Sequence, residues 1–128
     1  FLVALEVVEE RIAARRANYS YYEKNLSKYI SFLSEPEGFF STRWLTCILT
    51  SSFNQREKIR LDLAENNIEA RPLWKPMHKQ PVFEKYARNI NGVSEGLFLK
   101  GLCLPSGSNL KKMDLDRVIK IIKESINA

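Results

Sequence analysis

Residues Thr42–Thr50 read TRWLTCILT, and this stretch decides the fold. Aromatic, β-branched and apolar residues fill it, the composition of a strand packing on a largely buried, pleated surface. Downstream, Asn54 stands three residues before Glu57, an asparagine form of the capping box. It predicts a helix from about Gln55 to Glu65 with Ile59 and Leu63 on the inner side. Asn66 and Asn67 end that helix, because asparagine tolerates left-handed backbone angles. IEARPLW, residues 68–74, reads as a second strand, at an edge or near its end, since Pro72 cannot donate to a ladder. A helix over Val93–Lys100 stops at Gly101, LCLP forms a third strand and SGSN a turn. The last helix is expected from about Lys111 to Ile126, with Leu115, Val118, Ile119, Ile122 and Ile126 on one face. At its start Asp114 and Asp116 suit the helix dipole, and Lys111 and Lys112 oppose it.

Upstream of the strand, residues 2–29 predict one long helix. Leu5, Val8, Ile12, Tyr19, Tyr22, Leu26 and Tyr29 recur at three- and four-residue steps, interrupted by Arg15. The helix opens on FLVAL, apolar all round and without a capping residue, as though the chain began inside a longer protein. ISFLSEPEGFFS then supplies a short strand and a Pro/Gly-punctuated loop. Strands separated by helices predict an α/β (α+β) sandwich, a sheet of three or four strands with helices on one face. No internal repeat, low-complexity segment or interdomain linker interrupts this pattern.

The chain has 128 residues, 45% hydrophobic and 27% charged, which is ordinary globular composition and argues against disorder, collagen-like sequence or coiled coil. No run reaches the roughly 18 apolar residues of a membrane span, and the opening lacks the basic segment of a signal peptide. Cys47 and Cys103 sit in apolar runs and read as small buried hydrophobes, with no disulfide expected. Ligand pairs at metal spacing are missing and His78 is the lone histidine, so a cytoplasmic, reduced, metal-free chain is expected. The net charge of +5 has two readings, an anionic partner or a solvated surface. Its cations are spread over RIAARRAN, NQREKIR, KPMHK and NLKKMD, which favours the solvated surface.

Signals for catalysis by this chain alone are weak. Neither cysteine is placed to pair with His78 as a nucleophile, and Glu35, Glu37, Asp62 and Asp114 lack the apolar context that raises a carboxyl pKa. GLCLPSGS has neither the GKS/T ending nor the GxGxxG spacing of a phosphate loop. Nucleic-acid binding would need accessible aromatics among clustered cations, yet the helical stripe turns Tyr19 and Tyr22 inward and leaves only Tyr21. The strongest candidate is RPLWKPMHKQPVF, residues 71–83. Trp74, Met77 and the prolines make a stiff apolar wall, and Arg71, Lys75 and His78 present cations from it. That combination suits a phosphorylated or nucleotide-bearing ligand. A loop packed against another domain would look similar.

NIEARPLWKPMHKQPVF and LFLKGLCLPSGSNLKKMDLDRVIKII, preceded by RIAARRANYSYYEKNL and TRWLTCILT, together resemble a known family. They look like the C-terminal part of the pyridoxal-phosphate-dependent DegT/DnrJ/EryC1/StrS sugar aminotransferases. The similarity covers nearly the whole chain, in order. It implies the small C-terminal domain of a fold-type I aminotransferase, with a mostly antiparallel sheet. Residues 1–29 would form an interdomain helix leading in from a large domain, and residues 30–128 the small domain. The Schiff-base lysine, the aspartate on the pyridinium nitrogen and the phosphate-binding residues would all lie upstream. No catalytic residue is therefore assigned here, and Lys75 is not that lysine.

By the same resemblance, the Trp74–His78 loop closes over the cleft and contacts a sugar nucleotide. His78 is the best candidate contact, with Trp74, Lys75 and Met77 beside it and Arg43 near the same cleft. PSGS serves turn geometry, and Lys111 replaces a helix-capping threonine common among relatives. The implied full-length enzyme is a homodimer that moves an amino group from an amino acid, glutamate being expected, onto a nucleotide-linked keto sugar. Pyridoxal phosphate would not attach covalently to these residues, and the isolated chain is expected to be inactive. Neither nucleic acid nor membrane is an expected partner. The alternatives are a free-standing basic module for nucleic acid or another anion, and a packing unit that self-associates through FLVAL.

Overall fold

The computed structural model describes residues 5–127. In chain order the elements are α1 (Val8–Leu26), β1 (Ser31–Phe32), β2 (Thr46–Leu49), α2 (Phe53–Glu65), β3 (Arg71–Pro72), α3 (Val93–Lys100), β4 (Gly101–Leu104) and α4 (Lys112–Asn127). Two short 3₁₀ turns, Met77–Lys79 and Pro81–Phe83, lie between β3 and α3. The strands form one sheet in the order β1-β2-β4-β3, with every pairing antiparallel. This is the expected α/β sandwich, with the proline-bearing β3 at an edge.

Alternation along the central strands creates two faces. Ile48 on β2 and Leu102 and Leu104 on β4 join one buried cluster with Tyr22, Leu26, Ile59, Leu63, Leu115, Val118, Ile119 and Ile122. These residues bring α1, α2 and α4 onto one side of the sheet. Cys47 and Cys103 alternate to the other side, directly opposite each other in the β2–β4 register. The last helix thus buries the face that its apolar spacing predicts, apart from Ile126, which is half-buried.

The structure corrects three local expectations. The strand expected over Thr42–Thr50 begins only at Thr46. Arg43 has φ +50°, a left-handed conformation no strand residue adopts, and the Thr46 amide bonds the Ser106 hydroxyl at 2.8 Å. The cap of α2 is Ser52, not Asn54: its hydroxyl accepts from the Gln55 amide at 3.1 Å. Gln55 Oε1 reaches back to accept from the Ser51 amide at 2.9 Å, a reciprocal cap of the same kind two positions earlier than expected. The apolar stripe on α1 is buried only in its later turns, at Tyr19, Tyr22 and Leu26, while Leu5, Val8 and Tyr29 are exposed.

Polar bonds explain where α1 engages. Tyr22 donates to Pro105 O at 3.1 Å, Asn18 to Gly107 O at 2.9 Å and Tyr21 to Asp116 at 2.6 Å. Arg15, which breaks the stripe, donates to the carbonyls of Trp44 and Ser106 and so carries the loop before β2. The expected helix start at residue 2, and most of FLVAL, lie outside the described residues. At α4 the missing threonine is compensated, because Asp114 Oδ2 accepts from the Lys111 amide at 2.8 Å.

Candidate functional site

The face of the sheet opposite the helices carries two adjoining hollows. One is a cleft of about 500 Å³ whose lining includes Trp44, Arg71, Trp74, Cys103 and Ser106. The other is a recess of about 230 Å³ whose lining includes Tyr19, Leu33, Arg43 and Cys47, again with Trp44 and Trp74. The two tryptophans are the ridge between them, with ring centroids 6.3 Å apart and planes tilted by 36°. Trp44 is 61% exposed and Trp74 67%, an unusual degree for the largest apolar side chain. Trp74 is carried out of the edge strand β3 by a chain that Pro72 and Pro76 stiffen. Trp44 stands just before β2, on the loop that Arg15 holds.

Arg43, expected near this cleft, lines the recess but spends its guanidinium on the protein. The group lies 3.8 Å from the centroid of the Tyr19 ring and donates to Leu33 O at 2.8 Å. Its remaining neighbour is Glu35, at 3.8 Å. Glu35 also takes a 2.7 Å bond from Arg16 and a 3.0 Å bond from the Ser41 amide. Led by the Arg16 bond, these hold the Glu35 carboxyl at about 2, well below the ordinary 4.5. On the cleft side Arg71 pairs with Glu69 at 2.7 Å, leaving the guanidinium open to solvent.

His78, the leading sequence candidate, is placed apart from the tryptophan ridge. Its Nε2 meets Glu95 Oε1 on α3 at 2.6 Å, and Lys79 Nζ approaches the same oxygen at 3.5 Å. The Glu95 carboxyl is pulled below its usual range, first by the hydrogen bond to His78 and then, beyond the opposing cost of desolvation, by the charge of Lys79. The pair clasps the 3₁₀ turn at Met77–Lys79 onto the first turn of α3, and Pro76 is buried beneath. Lys75 and Met77 are exposed and line neither hollow. So Trp74 and Arg43 come together, and His78, Lys75 and Met77 stand on the neighbouring loop.

Two partners escaped the sequence reading. Trp44 was absorbed into the strand pattern of TRWLTCILT, although an aromatic at the end of such a run is also a ligand signal. Glu95 carried no signal beyond its place in the first turn of a helix. Aromatic faces next to Arg71 and the Ser106 hydroxyl can hold a planar, anionic or hydroxyl-bearing ligand. They offer no nucleophile with a base beside it.

A cofactor bound through a Schiff base needs a lysine in the hollow that holds it, and neither hollow is lined by a lysine. Among the described residues no cluster of His, Cys, Asp and Glu could hold a metal, and no helix is long and apolar enough to cross a membrane.

Comparison with known proteins places this geometry. The chain is 40% identical over 127 residues to EpsN of Bacillus subtilis, assigned as a pyridoxal phosphate-dependent aminotransferase, covering 94% of this chain and 33% of that protein. It is 35% identical to GDP-perosamine synthase of Escherichia coli O157:H7, covering 98% of this chain and 33% of the enzyme. A crystal structure of a DegT DnrJ EryC1 StrS aminotransferase from Brucella abortus superposes with a TM-score of 0.88 at 25% identity, over 99% of this chain and 34% of that one. The chain thus spans about a third of the length of these relatives. Residues 1–123 match the DegT/DnrJ/EryC1/StrS aminotransferase family, and the chain belongs to it.

Proposed function

We propose that the whole protein is a pyridoxal-phosphate-dependent aminotransferase acting on a nucleotide-linked keto sugar. An amino acid, with glutamate the expected donor, supplies the amino group. The observation that carries this reading is the family match across residues 1–123. The name of the similar E. coli enzyme, GDP-perosamine synthase, supports a nucleotide-linked amino-sugar product. Residues 1–29, which include α1, are the segment leading in from a large domain, and residues 30–128 belong to the small C-terminal domain. The two copies of a homodimer work in the cytoplasm.

The cofactor supplies an electron sink for the exchange of the amino group. No lysine lines either hollow beside the tryptophan ridge, which supports a cofactor-binding lysine in the large domain. This chain contributes closure of the substrate cleft and exclusion of water. Trp74 offers a stacking surface for the nucleotide base, and Arg43 keeps the wall of the recess in place through Tyr19 and Leu33. Lys75 supplies positive charge for a phosphate, Met77 covers apolar surface, and His78 bonds a sugar or phosphate oxygen from the loop held by Glu95.

Comparing the intact natural protein with residues 1–128 alone tests this reading. Both are supplied with pyridoxal phosphate, glutamate and a panel of nucleotide-linked keto sugars, and amino-sugar formation is followed by mass spectrometry. The intact protein should form product and the isolated chain none. Product from the isolated chain, or an intact protein that fails to acquire the cofactor's visible absorbance, would overturn it.

A further inference from the structure

The only two cysteines of the sequence, 56 positions apart, face each other across β2 and β4. Their pair type follows from the ladder. The Thr50 amide bonds Lys100 O at 3.0 Å, which makes Thr50 and Lys100 a hydrogen-bonded pair. Such pairs alternate with unbonded ones, so Cys47 opposite Cys103 is an unbonded pair three steps along. Unbonded pairs bring Cα atoms to about 4.5 Å, the close end of the roughly 4.4–6.8 Å that a disulfide accepts. The sulfur atoms already stand 3.8 Å apart as free thiols. Small side-chain rotations suffice to join them, with no movement of strand against strand.

Access and reactivity point the same way. Cys103, itself buried, borders the larger cleft and the half-buried Cys47 the smaller recess, so both thiols adjoin hollows on the side of the sheet away from the main core. Arg71 is opposite Cys103 on β3. A hydrogen bond between the two thiols lowers Cys47 to about 7 and raises Cys103, so one thiolate forms readily and the second thiol keeps its proton.

We infer that Cys47 and Cys103 form a redox modification site, a dithiol that hydrogen peroxide converts into a cross-strand disulfide, reversibly. The Cys47 thiolate attacks one peroxide oxygen and breaks the O–O bond. The departing hydroxide takes a proton and leaves as water, and Cys47 becomes a sulfenic acid. The Cys103 sulfur then attacks the Cys47 sulfur, the S–O bond breaks, and the hydroxide leaves with the Cys103 proton as a second water. Two electrons pass from two thiols to one peroxide. A small dithiol reductant reverses the bond by exchange.

The test is made on the intact natural protein, treated with hydrogen peroxide and then alkylated. Peptide mapping without reductant should show Cys47 and Cys103 joined within one chain, with the loss of two hydrogens, and dithiothreitol should restore both thiols. Cys103→Ser should instead stop at an oxygenated Cys47, because the resolving thiol is missing. Stepwise oxygenation of either cysteine in the natural protein without a bond between them would overturn the inference. So would a bond only between chains, or thiols that stay unreacted. Mapping reads the bond directly, so the result stands apart from any loss of aminotransferase activity.

Discussion

Glu35 is bound from three directions, by the guanidinium of Arg16, the backbone amide of Ser41 and the charge of Arg43. Its carboxyl titrates at about 2 in the fold against 4.5 ordinarily, so the folded protein binds a proton there less readily than the unfolded chain. The stabilisation is therefore complete above about 4.5 and is lost as the pH falls toward 2. Glu35→Gln should flatten that acid limb. Thermal unfolding followed from pH 6 downward should show a smaller fall in midpoint for the variant than for the natural protein (the window is set by the depressed carboxylate range). An equally steep fall would show that other carboxylates govern acid stability. Glu35 was noticeable in the sequence only as one of several carboxylates without apolar surroundings. Its partners could not be read there, because Arg16 is 19 residues away and reaches it only once α1 folds back over the loop.

At the scale of elements, local chemistry and tertiary contact divide the outcome. The boundaries of α3 agree with the sequence reading because Gly101 both ends the helix and opens β4. A Cβ at that position would collide with the Leu73 side chain and come within 2.5 Å of Leu97 O. Gly101→Ala should therefore cost about 1–3 kcal/mol through overpacking, measured by urea denaturation. The start of α2 misled because two capping patterns overlap in SSFNQRE, and side-chain geometry selects the earlier one. Ser52→Ala should lose about 1 kcal/mol, whereas Asn54→Ala, inside the first turn, should stay within about 0.5 kcal/mol. The reverse order in urea midpoints would restore Asn54 as the cap. Strand ends were legible least well. TRWLTCILT is uniformly strand-like in composition, but only Thr46–Leu49 finds partners on β4, and only Ile48 and Leu49 find them on β1 as well. Where pairing stops is a property of the sheet, and residue composition does not encode it.

At the scale of the whole molecule, the candidate site joins segments that sequence proximity does not connect. Trp44, before β2, and Trp74, after β3, meet ring to ring although β4 separates their strands. The loop RPLWKPMHKQPVF stood out in the sequence because its prolines and cations break every periodicity. Its companion Trp44 was hidden because an aromatic residue fits a strand equally well. The exposure of Trp74 separates its two roles. A residue that is 67% exposed contributes little to the core, so Trp74→Ala should leave the unfolding midpoint of the protein nearly unchanged. If the ridge stacks on a nucleotide base, the same change removes an interaction worth ~1–3 kcal/mol. In the intact enzyme KM for the nucleotide-linked sugar should then rise by about tenfold, which corresponds to ~1.4 kcal/mol, with KM for the amino donor unaltered. Ile122→Ala provides the contrast: its side chain is fully buried, so it should cost ~2–5 kcal/mol of stability while folded enzyme keeps its KM. A Trp74→Ala protein with unchanged KM and a lowered midpoint would make the ridge a packing surface and move nucleotide recognition off this face.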